Sequence, residues 1–145
     1  MKEQVDRQIQ EIVRWAKSRR EILALSLVGS WARGEAHDKS DIDLMFLTEK
    51  PLLFREDITW LSEIDWGDRH IEKWEDKNYD AVWSRHVYLH PNDAGYAEVE
   101  FSFGQSDWAS ISPLDSGTRQ VVSDGYRVLY DPKGIIIRLV NFVSE

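Results

Sequence analysis

The 145-residue chain has no cysteine, which removes disulfides and thiolate metal ligation from consideration. It also has no apolar run approaching the roughly 20 residues a membrane-spanning helix needs. The first residues, Met1-Lys2-Glu3-Gln4-Val5-Asp6, are charged and lack the apolar core of a secretion signal. The cytoplasm is therefore the expected location, with no membrane partner. Basic residues are in deficit: 18 Lys and Arg stand against 26 Asp and Glu, giving a net charge of −8. A protein that grips nucleic acid through its phosphates normally shows a basic face, so tight nucleic-acid binding is disfavoured. The longest basic cluster, Lys17-Ser18-Arg19-Arg20, falls at the end of an expected helix, where cations complement the helix dipole.

What is present is the composition of a globular domain. Hydrophobic residues make up 42% and charged residues 30%, enough apolar content to build a core and too much for a disordered chain. No repeat, low-complexity tract or linker interrupts the sequence, so one domain over residues 1–145 is expected. Val5, Ile9, Ile12, Val13 and Ala16 recur at helical spacing and predict an amphipathic helix over residues 3–20. Ile22 to Val28 is a continuous apolar run, as in a buried strand, and Asp41 to Leu47 predicts a second strand. Leu53 to Ile64 predicts a helix with Phe54, Ile58, Trp60 and Leu61 turned inward, closed near Trp66-Gly67. Residues 69–74, 81–89 and 95–103, rich in Val, Tyr, Trp and Phe, predict three strands separated by turn residues. A short helix around Gly117 to Val122, a strand over Tyr126 to Tyr130 and a helix over Ile135 to Val143 complete the pattern. The expected class is α+β: a mixed, largely antiparallel sheet with helices mainly on one face.

The chemistry concentrates between Gly29 and Asp43. Asp41 and Asp43 flank Ile42 at the start of a strand, and strand alternation sends both carboxylates to one face while Ile42 enters the core. Carboxylates about 7 Å apart along a strand can share hard divalent cations, which take oxygen ligands. Upstream, Gly29-Ser30 ends the preceding strand. A glycine there admits phosphate close to the backbone, and the Ser30 hydroxyl and neighbouring amides can donate to a triphosphate. Two acidic metal ligands facing a phosphate cradle is what in-line nucleotidyl transfer requires.

Either element alone is commonplace, but together they form a composite. Gly29-Ser30-Trp31-Ala32-Arg33-Gly34 followed by Ser40-Asp41-Ile42-Asp43-Leu44 resembles the signature of the DNA polymerase beta-like nucleotidyltransferases, in order, in spacing and in the flanking apolar strands. The resemblance covers residues 22–48, and more loosely the C-terminal halves of small stand-alone members, as in Asp107-Trp108-Ala109 and Val122 to Pro132. It implies that Gly29 and Ser30 hold the phosphates of a nucleoside triphosphate such as ATP, and that Asp41 and Asp43 bind Mg2+ or Mn2+. Arg33 matches a frequent arginine with either a phosphate contact or an ion pair within the loop. Ser40 is expected to cap the turn into the strand.

The family also uses a third carboxylate on a later strand, as metal ligand or as base for the attacking hydroxyl. Glu98 and Glu100 are the candidates here, both on one face of the strand opposite Ala97, Val99, Phe101 and Phe103. Glu100, immediately before an aromatic residue, is preferred. The implied activity is metal-dependent transfer of a nucleoside monophosphate to a hydroxyl acceptor, which could be a small molecule, an RNA end or a protein. Alternatives are an antitoxin-like member partnering a HEPN-type helical protein, and a non-catalytic nucleotide- or protein-binding module. A homodimer is compatible with each. His86 and His90 share a strand face about 13 Å apart, too far to share zinc. Most of the seven tryptophans are expected in the core, with one free to stack on a base or cover an interface.

Overall fold

A computed structural model describes residues 2–79, 82–93, 95–109 and 126–144. The short helix expected around Gly117 to Val122, and the first part of the family-like phrase, residues 122–125, lie outside these. The described elements run α1 (Lys2–Ser18), β1 (Ala24–Val28), α2 (Gly29–Arg33), β2 (Ile42–Leu47), α3 (Pro51–Glu56), a 3-10 turn (Thr59–Glu63), β3 (His70–Tyr79), β4 (Val82–His90), β5 (Glu98–Gly104), a second 3-10 turn (Ser106–Ala109), β6 (Tyr126–Tyr130) and α4 (Ile135–Ser144). Six strands form one sheet in the order β3-β4-β5-β2-β1-β6. Every pairing is antiparallel except β2 with β5, which run parallel at its centre. The α+β class with a mixed, largely antiparallel sheet is the architecture observed.

Strand alternation sorts the two faces. Leu25 and Leu27 of β1, Ile42, Leu44 and Phe46 of β2, and Val99, Phe101 and Phe103 of β5 turn to one side. Against them α1 lays Val5, Ile9, Ile12, Trp15 and Ala16, while α3 and the first 3-10 turn add Phe54, Trp60 and Leu61. Aromatic contacts dominate this layer: Phe46 stacks on Phe103 at 5.0 Å, Trp15 on Trp60 at 5.0 Å, and Trp83 on Phe103 at 5.0 Å. Large flat rings bury much apolar area per residue, which suits a short chain. The opposite side carries a smaller apolar cluster, Ala24, Met45, Leu47, Ile136 and Leu139, under α4. Three of the four described α-helices thus lie on the first side.

One expected element is different. The helix predicted over Leu53 to Ile64 is two pieces, α3 and a 3-10 turn, and Ile58 is 48% exposed instead of inward. The break is made by Asp57, whose carboxylate accepts from the Thr59 amide at 3.0 Å and the Thr59 hydroxyl at 2.6 Å. Such a side-chain turn competes with helical hydrogen bonding. The strand expected over residues 69–74 is also longer, running to Tyr79 although most of its residues are polar and exposed. Pairing with β4 along its length holds β3 extended, overriding weak local preference.

The end of α3 is tied into the core by a buried cation. Arg85 of β4 is fully buried, makes a two-pronged ion pair with Asp76 of β3 (Nε to Oδ1 at 2.7 Å, Nη2 to Oδ2 at 2.9 Å), and donates to the carbonyls of Phe54 and Arg55. Its guanidinium lies over Trp74 at 4.4 Å, Trp83 at 5.1 Å and Trp60 at 5.6 Å. The planar fork satisfies carboxylate and carbonyls together while its faces stack on the rings, a geometry Lys cannot reproduce. Arg85→Ala is expected to destabilise the protein by about 3–5 kcal/mol, with Arg85→Lys recovering little of it, as read by urea denaturation of each variant.

Candidate active site

The site grows from the end of β1. After Val28 the chain turns at Gly29, whose φ of 75° lies in the left-handed region. A methyl group at Gly29 would collide with the carboxylate of Asp43, and β1 and β2 pair Val28 with Asp43. Gly29 therefore meets two demands at once, an unusual backbone angle and a carboxylate against its Cα. Ser30 follows on α2, half-buried. Gly34, at φ 72°, ends this single turn by donating its amide to the Ser30 carbonyl, which also accepts from Glu35 at 3.0 Å.

The loop back to β2 is fastened by local bonds. The Trp31 indole donates to the Ser40 carbonyl at 3.0 Å, and the Ser40 hydroxyl accepts from the His37 amide at 3.0 Å. These hold residues 35–40 against α2, so that Asp41 enters at the rim beside the Gly29 turn. Arg33 is exposed and pairs with Glu35, Nε to Oε2 at 3.3 Å, the loop ion pair being the contact formed.

Across the sheet the acidic residues fall into register. Asp43 lies opposite Glu100 through the parallel β2–β5 pairing, and Glu100 lies opposite His86 through β4–β5. Asp43 and Glu100 are within hydrogen-bonding reach of each other. Burial first, then the bond to Glu100 and the negative charge of Glu100, Asp41 and Glu98, push the Asp43 carboxyl up to about 8. Asp41, more open to solvent, is raised by partial burial and by Glu98 and Glu100. Glu98 is engaged elsewhere: its Oε2 stands 2.8 Å from His86 Nδ1, whereas His86 Nε2 is 3.5 Å from Glu100 Oε1. His90 is apart from this group, its ring 5.4 Å from that of His70.

His86 is the residue of this cluster that sequence reasoning did not connect to the carboxylates. Alternation placed it on a strand face, but only the β4–β5 register shows that this face is the one carrying Glu98 and Glu100.

Asp41, Asp43, Glu98 and Glu100 are all oxygen donors, the set that Mg2+ and Mn2+ prefer. Among the described residues no three such groups converge tightly enough to form a finished metal site. The crowding at Asp43 nonetheless fits a cation: two neighbouring carboxylates that cannot both ionise at ease leave a charge that a divalent ion would relieve.

Residues 10–75 match the family described as polymerase beta, nucleotidyltransferase. That segment, less than half of the chain, is similar to the polymerase beta-type nucleotidyltransferases. None of the curated proteins searched matches it. Among solved structures, that of the Cid1 poly(U) polymerase is similar with 18% sequence identity and a TM-score of 0.43, over 84% of this chain and 39% of that one. The chain thus spans well under half the length of that polymerase. No helix among the described residues is long and apolar enough to cross a membrane.

Two outcomes test the geometry. The fold favours protonated Asp43, because its carboxyl titrates higher folded than unfolded. That stabilising contribution is full below about pH 4 and is lost as the pH rises towards 8. In the presence of a chelator the melting temperature should fall between pH 5 and 8, and Asp43→Asn should flatten that fall. Gly29→Ala should destabilise by about 2 kcal/mol or more, from the left-handed angle and the clash. Combined with Asp43→Ala it should cost less than the sum of the single changes in a thermal-melt double-mutant cycle.

Proposed function

We propose that this chain is a metal-dependent nucleotidyltransferase that moves a nucleoside monophosphate from a nucleoside triphosphate, such as ATP, to a hydroxyl acceptor. The observation that carries the reading is the placement of Asp43. It is pressed against the Gly29 turn on one side and faces Glu100 on the other, so the phosphate cradle and the carboxylates share one small region. The family match over residues 10–75 supports the same chemistry.

In this reading Gly29 leaves room at the turn, and the Ser30 hydroxyl and adjacent amides donate to the triphosphate oxygens. Arg33, already paired with Glu35, contributes charge at the rim. Asp41, Asp43 and Glu100 would hold Mg2+ or Mn2+. A bound divalent ion would neutralise triphosphate charge and lower the pKa of the acceptor hydroxyl. The acceptor oxygen forms its bond to the α-phosphorus as the bond to pyrophosphate breaks, and its proton passes to the Glu100 carboxylate. The acceptor approaches from the open side of β5 and β4, where Glu98, His86 and Tyr88 stand beside the carboxylates. A small molecule, an RNA end or a protein side chain could supply the hydroxyl, and a HEPN-type protein partner or a second copy of this chain could complete the pocket. The compartment proposed is the cytoplasm.

Incubating the protein with each labelled nucleoside triphosphate and magnesium, with and without cell extract, tests the reading: a labelled acceptor is expected. Asp41→Asn and Asp43→Asn should abolish labelling while leaving the protein folded. Ser30→Ala should weaken triphosphate binding by about 1–2 kcal/mol, the scale of one charge-assisted hydrogen bond, measured by calorimetry. Full activity in all three variants would overturn the site assignment.

A further inference from the structure

His86 is nearly buried on the sheet face that carries the carboxylates, yet it is not an acid and the reaction sketched above does not use it. Its two ring nitrogens meet two glutamates in different ways. Nδ1 is 2.8 Å from Glu98 Oε2, and because a carboxylate can only accept, Nδ1 is the donor. Nε2 is 3.5 Å from Glu100 Oε1, too far for a good bond, and has no hydrogen-bond partner among the described residues. Glu98 is thus tied to the ring, while Glu100 stands between the looser Nε2 edge of the ring on one side and Asp43 on the other.

We propose that His86 is a positioning residue that separates the roles of the two glutamates, anchoring Glu98 away from the cation-binding carboxylates and turning Glu100 towards Asp43. The inference deepens the nucleotidyltransferase reading and rests on it. The physical need is plain from the sheet. Glu98 and Glu100 project from one strand on one face, so without a tether either could swing to Asp43 and the cluster would sample several ligand sets. The ring is directly opposite Glu100 and diagonal to Glu98, so a single side chain reaches both. Burial limits the freedom of the ring to rotate.

The test uses Mn2+ as the probe, with binding to the full chain followed by electron paramagnetic resonance and kcat and KM measured alongside. His86→Asn keeps an N–H donor near the position of Nδ1, and His86→Leu keeps volume but no donor. Both lose the imidazole, so melting temperatures control for packing. His86→Leu should bind Mn2+ about 10-fold or more weakly, the usual effect of losing a group that orients metal ligands. It should also lower kcat more than it raises KM for the triphosphate. His86→Asn should recover most of both losses. If Leu binds Mn2+ as tightly as the wild type, or Asn loses as much as Leu, the role of His86 is overturned while the nucleotidyltransferase reading stands. If the wild type itself binds no Mn2+, both fall together.

Discussion

The parallel pairing of β2 with β5 is the contact on which the rest of this molecule depends. It sets Asp43 beside Glu100 across a gap of 57 positions in the chain, and it does so at the centre of the sheet. Burying the Asp43 carboxyl, and then setting it beside other carboxylates, raises its pKa and so opposes folding of the ionised form. The opposite face of the same two strands supplies the compensation. Phe46 and Phe101 stack at 5.7 Å, Phe46 and Phe103 at 5.0 Å, and the rings of Trp15, Phe54 and Trp60 close over them. Because strand side chains alternate, a dense apolar layer and an acidic layer can share one backbone without mixing.

From that pairing the remaining parts follow as supports. The β1–β2 ladder brings the Gly29 turn against Asp43, and the left-handed angle there lets the backbone pass closer than any side chain would allow. The β4–β5 ladder adds His86 between the two glutamates. Arg85, the next residue before His86 on β4, points the other way into the tryptophans and secures α3. One strand therefore serves both layers through adjacent residues: Arg85 consolidates the core and His86 borders the carboxylates.

The match to the polymerase beta family covers residues 10–75, the segment that bears Gly29, Ser30, Asp41 and Asp43. Glu98, Glu100 and His86 lie beyond it, on strands that reach the site through the sheet. The segment shared with the family is thus the one that bears the Gly29 turn and the two aspartates, while the glutamates and His86 come from β5 and β4.

What could be read from the sequence was local. Alternating strands around Ile42, the glycine ending an apolar run and the helical spacing of Val5, Ile9 and Ile12 each express geometry decided within a few residues. The shared face expected of Asp41 and Asp43 rested on the same alternation, although the strand itself begins at Ile42 and Asp41 stands just before it. The split of α3 at Asp57, the reach of β3 to Tyr79 and the inward turn of Arg85 were not legible. The first is a local carboxylate turn from Asp57 to Thr59 that helical periodicity does not register, and the other two depend on a partner strand or on three tryptophans that approach only in the folded chain. The same holds for the two glutamates of β5. Alternation put Glu98 and Glu100 on one face, and only the register of β5 against β2 and β4 shows that Glu100 lies opposite Asp43 and Glu98 opposite Tyr88, because hydrogen-bonded pairing between distant strands is a property of the whole sheet.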